Sequence, residues 1–513
     1  LANENNAITV TSFAPMEFAR ALIAASESGD PDVPPQVDYL ARYCELLGAK
    51  TVLREETYID RHYMDEYAAF YSRMLRPPRH SMRRFHLFSH VMSGSEIDGA
   101  FNEALLSVTK REAIEKDLSE KYLGFVSVRP LRSVPIGRTV LRKLNGNHRD
   151  IWATSSHPVH ISNLELRVDG LAFQQQDLAV GACATAALWS ALSRVARHEG
   201  MRAPTPAEVS EAAARHVVPY GRTMPALAGL TMGQLCDAVR ECGFAPEVFR
   251  ADTMPEIFVL ALHTYLSSGI PVVLGLKGIG VGHAVTAVGF QTGVTADPLL
   301  HSTVRLRSSL VKKLYVHDDR LGPYARALVQ AVPPTSDGDE GTPGAILLGV
   351  DWPAKGGGVV SEPWLIDSAV APVYPKLRLS VRSLVVLAQL LGEIMEKAVG
   401  KDHAPKLSAD FRYQRSGEYL TGLSGRATAP GATFLRSVML PRWCAVIRWY
   451  LNDRAIAEFI YDTTDILRDG GRGGAELIRG VVSLAPELGP NLAEIAATFG
   501  VPCLGEPEPV RAS

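Results

Sequence analysis

The sequence predicts an α+β protein, with a helix packed on a small antiparallel sheet in its middle third and α/β regions flanking it on both sides. Three features of the chain lead there. Several stretches carry apolar residues at helical spacing, and short runs rich in β-branched residues lie between them. A cluster of turn-forming residues, PPTSDGDEGTPG at 333–344, then separates the middle of the chain from its last third. With 513 residues, at roughly 100–200 per domain, the chain has room for two to four domains. We place them at 1–150, 155–332 and 345–513.

Residues 15–27, 35–48 and 61–75 read as amphipathic helices, the last with aromatic residues at helical spacing that belong to a core rather than to a cofactor. Strands are expected at 84–90 and 122–131, with a charged helix at 103–120 between them. Residues 157–176 look extended. A small-residue turn, Gly181-Ala182, then opens a helix that begins with Cys183 and runs to about residue 198. Helices at 205–216, 231–242 and 254–267 precede strands at 271–276, 283–290 and 313–318. Beyond the 333–344 linker we expect strands at 345–351, 442–451 and 456–462 and a helix at 381–399. A loop is expected at Lys355–Gly358, and the final twenty or so residues also read as loop.

Composition excludes several classes. Hydrophobic residues make up 46% of the chain, enough for extensive cores and too many for a disordered one. Lys and Arg number 53 against 55 Asp and Glu, a balance that argues against a nucleic-acid partner. The one basic strip, Arg73, Arg76, Arg79, Arg83 and Arg84, reads as a solvated helix end, with a contact to phosphate, to an acidic partner or to nucleic acid as the alternative. The six cysteines show no CxxC pair, so neither a zinc site nor a disulfide framework is expected, and free thiols fit a reducing compartment. No apolar signal core and no long apolar run is present, which points to a cytoplasmic protein with no membrane partner. No cofactor is implied. Oligomeric state is not written in the sequence.

The chemistry-bearing pattern lies between residues 174 and 319. A cysteine at a helix N-terminus faces unpaired N–H groups and the positive end of the dipole, which favours its thiolate. Gln174, Gln175 and Gln176 lie just upstream, with side-chain amides able to donate to an oxyanion. Gly282-His283 heads an apolar strand, a rigid mount for a base with one edge open. The strand that follows ends in His317-Asp318-Asp319, whose carboxylates can hold the far nitrogen of that base.

Taken in order, these residues resemble the papain-like cysteine peptidases, closest to the bacterial double-glycine (C39-type) branch, over about residues 160–330. The segment GLTMGQLCDAVRECGFAPEVFR and the strand PVVLGL ahead of His283 resemble that branch as well. The resemblance implies a papain-like fold and a cytoplasmic peptidase or amidase acting on a protein or peptide substrate. It implies Cys183 as nucleophile, His283 as base, Asp318 as its orienter and Gln176 as oxyanion donor, with Gly282, Gln175 and Asp319 as adjoining binding candidates. Three departures stand. Gln176 lies seven residues before the cysteine where the branch has about six, because Asp177 intervenes, so the choice among the three glutamines is open. Ala184 follows the cysteine where glycine is common. Residues 291–312 lengthen the connection from His283 to Asp318, and Asp319 remains an alternative to Asp318.

The same triad can run acyl transfer, as in transglutaminase-like enzymes, or persist in an inactive binding module. The Gly278-x-Gly280-x-Gly282 run precedes a strand and no helix, so it is a hairpin rather than a phosphate loop. A metal on His317, Asp318 and Asp319 lacks a second ligand cluster. The flanking regions, without a legible motif, are assigned by size alone to substrate selection or autoinhibition.

Overall fold

The computed structural model describes residues 7–26, 33–132, 135–146, 149–176, 183–215, 229–252, 255–278, 281–293, 298–301, 303–332, 345–353, 359–423, 432–464 and 475–505. The expected turn at Gly181-Ala182, Asp177, Gly280, the linker 333–344 and the Lys355–Gly358 loop lie outside them.

The N-terminal region runs β1 (Ile8–Ser12), α1 (Pro15–Ala25), α2 (Pro35–Leu46), β2 (Thr51–Tyr58) and α3 (Arg61–Glu66). It continues β3 (Met82–Phe88), α4 (Gly94–Leu106), α5 (Val108–Lys121), β4 (Tyr122–Val128) and β5 (Ile136–Leu141). Its five strands form one antiparallel sheet in chain order. Pro15 and Pro35 open their helices at the first turn, where the missing N–H would have been unpaired anyway. The single helix expected at 103–120 is two: Ser107 turns extended, ends α4, and caps α5 by accepting from the Lys110 N–H. The helix expected over 61–75 gives way to a π turn at Tyr67–Tyr71. Tyr63, Tyr71 and Met82 make a small core of their own there. The arginine strip does not survive as a unit. Arg83 pairs with Glu56 at 3.0 Å, and Arg84 pairs with Glu55 at 2.5 Å while lying over the Tyr58 ring.

The chain then makes β6 (Arg149–Asp150) and the hairpin β7 (Ser155–Ile161)–β8 (Leu164–Gly170). Next come α6 (Cys183–His198), α7 (Pro206–Ala214), α8 (Met232–Glu241), β9 (Ala245–Arg250) and α9 (Pro255–Ser267). Capping boxes start α7 (Thr205 with Glu208) and α8 (Thr231 with Gln234), as the sequence periodicity requires. The central sheet follows with β10 (Val272–Lys277) and β11 (Gly282–Thr292). Its remaining region holds β12 (Leu299–His301), β13 (Val304–Leu306), β14 (Val311–Asp318), β15 (Gly322–Val332), β16 (Ala345–Pro353) and β17 (Val359–Val373).

The sheet on which α6 rests is antiparallel, and it is closed. Strands β10, β11, β14, β15, β16 and β17 pair in that order and β17 returns to β10, giving a six-stranded barrel with β9 added outside on β17. Ala184, Ala187 and Ala191 are buried on α6, so its backbone lies close to β11 and Thr286 Oγ1 donates to the Ala187 carbonyl at 2.7 Å. The barrel crosses the expected boundary at 333–344. β15 and β16 are direct neighbours, from Ala327↔Val350 to Val332↔Ala345, so two of the six strands come from the stretch assigned to the C-terminal region.

After α10 (Val381–Val399) come β18 (Leu407–Arg415), α11 (Ser416–Gly422), α12 (Ala432–Ser437), β19 (Trp443–Leu451), β20 (Arg454–Asp462) and β21 (Ile478–Ser483). The chain closes with α13 (Gly489–Phe499) and β22 (Cys503–Leu504), where a loop was expected. Gly500, at φ 67°, stops α13. These strands form a third sheet, which β12 and β13 join through a parallel pairing of Leu306 with Ala409. The long connection at 291–312 thus reaches out of the barrel into the C-terminal sheet.

The N-terminal region also leans on the barrel at the start of β15. Gly322 lies against the Tyr39 ring with no room for a Cβ, and the Tyr39 hydroxyl donates to the Pro323 carbonyl at 2.8 Å. Tyr324 next to it takes φ +57°, which a non-glycine residue holds only when its surroundings fix it. Its hydroxyl is the fixing group, accepting from the Leu171 N–H at 2.8 Å. Substituting Gly322→Ala should therefore force the half-buried ring aside and cost about 1–3 kcal/mol. Urea unfolding is expected to show a lower midpoint with an unchanged slope.

Candidate active site

Cys183 is the first residue of α6, so its sulfur sits at the open end of the helix, where the first N–H groups have no partner within the helix. It is half-buried and unpaired with any other cysteine. His283 heads β11, and Asp318 ends β14. In the barrel β11 and β14 are antiparallel neighbours, with Thr286 opposite His317. That register brings the two ends together. His283 Nε2 lies 2.9 Å from Asp318 Oδ1, and Cys183 lines the same cleft as this imidazole. Since Nε2 is taken by Asp318, Nδ1 is the nitrogen left for the thiol.

The choice between the two aspartates is resolved by distance. Asp319 Oδ1 is 3.8 Å from His283 Nε2, beyond hydrogen-bond reach, whereas Asp318 Oδ1 is within it. Asp318 Oδ1 also accepts from the Arg320 backbone N–H at 2.9 Å, which fixes the carboxylate's orientation. His317 faces away from the thiol, its Nδ1 3.3 Å from Ser190 Oγ and its ring edge-on to Tyr324.

The three glutamines separate as well. Gln174 gives its side-chain amide to Glu66, and Gln175 turns its carbonyl oxygen to the Ile136 N–H. Gln175 thus turns towards β5 and does not line the cleft. Gln176 alone of the three lines the cleft with Cys183 and His283. This cleft, of about 770 Å³, has Leu230, Met232 and Leu235 on one wall and the β10–β11 hairpin, including Gly282, on another.

The electrostatics follow from burial and neighbours. Burial works against a charged imidazole at His283. The Asp318 charge and hydrogen bond, the Cys183 side chain and the more distant Asp319 outweigh it and raise the His283 pKa to about 10. Burial likewise opposes ionisation of Asp318, but the imidazolium and Arg320 bring its pKa below the ordinary carboxylate value. Asp319 goes the other way: burial, with the Asp318 charge adding to it, pushes it up to about 7. The site at neutral pH thus holds a cationic imidazole on the cleft that Cys183 lines. His283, Asp318 and Asp319 offer ligand atoms within 4.8 Å of one another, but a metal there would have to displace the 2.9 Å hydrogen bond.

Several site residues escaped the sequence reading. Trp364 of β17 packs its ring 5.7 Å from that of His283, and Arg320 stacks over the indole at 4.8 Å while pairing with Glu362 at 3.0 Å. A Cβ at Gly278 would meet the same indole at 2.8 Å, so the hairpin must carry glycine there. Lys277 and Asp367 form an ion pair at the cleft edge, 2.5 Å apart. Nothing local marks Trp364 or Asp367, because only barrel closure brings β17 to β10.

No protein-family model matches the chain, and no curated protein matches it in sequence. Among the described residues no helix is long and apolar enough to cross a membrane.

The His283–Asp318 pair dictates a pH signature. His283 has a folded pKa above its unfolded value of about 6.5, so its contribution is complete below that pH and disappears as pH rises through about 10. Asp318, lowered from about 3.9, loses its contribution only as pH falls below that value. The difference in melting temperature between wild type and His283→Gln should be largest near pH 5–6 and shrink steadily towards pH 10. A difference that is flat from pH 6 to 10 would contradict the raised imidazole.

Proposed function

We propose that this chain is a cysteine-dependent hydrolase of the papain-like kind, a cytoplasmic peptidase or amidase. The observation that carries the reading is Cys183 and His283 lining one cleft, with His283 hydrogen-bonded to a buried Asp318 and Gln176 on the same cleft wall. A thiol, a base and a carboxylate in that order are what nucleophilic acyl chemistry requires. The free thiols at all six cysteines fit a reducing compartment.

The steps follow from the groups present. The Cys183 thiolate attacks the carbonyl carbon of a bound amide, and the C=O electron pair moves onto oxygen. The backbone N–H of Cys183 and the side-chain N–H of Gln176 donate to that oxyanion. As the C–N bond breaks, imidazolium at His283 gives its proton to the leaving amine, leaving an acyl thioester. Neutral His283 then takes a proton from water, which attacks the thioester and frees the acid and the thiolate. Asp318 holds the ring in one orientation throughout and balances its charge.

Iodoacetamide labelling across pH 5–9 tests this. Cys183 should react fastest of the six cysteines, well below the free-thiol pKa of about 8.5, and should slow at least tenfold in His283→Ala. Labelling of Cys183 no faster than that of Cys236 or Cys242 would sink the reading. Replacing Gln176 by Ala should leave labelling intact but lower turnover of a peptide substrate by about 10²–10³-fold.

A further inference from the structure

We infer that Glu66 and Arg129, two buried residues of the N-terminal region, are positioning residues for the oxyanion donor Gln176. The inference rests on the hydrolase reading above and adds that the N-terminal sheet is part of the catalytic apparatus rather than a detachable accessory.

Among the described residues the buried carboxamide oxygen of Gln176 has no hydrogen-bond partner. Its place is set by the residues immediately before it, and each of them is tied to the N-terminal region. Phe173 exchanges both backbone hydrogen bonds with Thr139 of β5, at 2.9 and 2.8 Å. Gln174 donates its side-chain amide to both carboxylate oxygens of Glu66, at 2.8 and 3.1 Å. Gln175 is held at three points. Its N–H donates to the Ile136 carbonyl at 3.1 Å, its side-chain oxygen accepts from the Ile136 N–H, and its backbone carbonyl accepts from Arg129 Nη2 at 2.7 Å.

Arg129 and Glu66 close this arrangement on themselves. Arg129 is fully buried and Glu66 is 3% exposed, with Nη1 and Oε2 3.8 Å apart. The same guanidinium nitrogen that holds Gln175 also donates to the Ile136 carbonyl, at 3.2 Å. A charged pair retained in the interior at this desolvation cost, and bonded to the two residues before the donor, sets where the chain enters the cleft. Neither residue touches substrate.

Two reagents separate this role from a purely structural one. Iodoacetamide consumes the thiolate by direct displacement of iodide and forms no oxyanion. With p-nitrophenyl acetate the thiolate adds to the ester carbonyl, passes through an oxyanion, expels p-nitrophenolate and leaves S-acetyl-Cys183. In the full chain, Glu66→Ala and Arg129→Met should slow acetylation at least tenfold while alkylation stays within about twofold, since a small misplacement of a donor costs up to about 10²-fold. Glu66→Gln, which still accepts from Gln174, should recover most of the loss. Adding Glu66→Ala to Gln176→Ala should cost nothing further. If Arg129→Met fails to fold, the two Glu66 variants decide. An unchanged ratio of the two rates, or an equal fall in both, overturns the inference while leaving the hydrolase reading intact. A wild-type Cys183 that iodoacetamide labels no faster than the other cysteines overturns both.

Discussion

A carboxylate and an imidazolium buried 2.9 Å apart are stable only if every neighbouring group accepts the arrangement. At His283 and Asp318 the surroundings do so from several directions. The Arg320 N–H holds the carboxylate from the turn beyond β14, Cys183 lines the same cleft as the imidazole, and Trp364 covers the ring face. Each of these groups belongs to a different element. The pair therefore depends on the barrel having closed and on α6 having docked against it.

Closure has a second consequence. By pairing with β10 through residues 365–370, β17 carries Trp364, Asp367 and Ser368 to the cleft from a stretch that follows the 333–344 linker. In exchange, the 291–312 connection sends β12 and β13 out to the C-terminal sheet. Barrel and C-terminal sheet are thus interleaved in the chain, and neither can be cut out at the linker without removing strands from the other's edge.

The N-terminal sheet is bound to the centre of the molecule by polar contacts where separate domains usually meet through looser surfaces. Tyr39 and Tyr324 lock the turn after Asp319, and Glu66 and Arg129 lock the segment before Gln176. Both ends of the candidate site, the Asp318 carboxylate bonded to His283 and the Gln176 side chain on the cleft, are backed by this one sheet. A region with no motif of its own can matter to a site in this way, by fixing the backbone that carries the motif.

By itself the sequence determined the local elements and named the candidate site residues. The Cys183 helix, the Gly282-His283 strand and the 381–399 helix are legible because periodicity, capping residues and punctuating glycines act over a few residues. The order of Cys183, His283 and Asp318 along the chain was legible for the same reason. Several matters were decided only by the tertiary structure: Asp318 over Asp319, Gln176 over Gln174 and Gln175, the closure of the barrel, and the arrival of Trp364, Glu66 and Arg129. Each is a question of strand register or of contact between residues far apart in the chain. A one-residue slip turns a side chain to the opposite face of a sheet, and nothing in the local pattern of His317-Asp318-Asp319 says which carboxylate will face the ring. Short-range chemistry writes the parts; long-range pairing decides which of them meet.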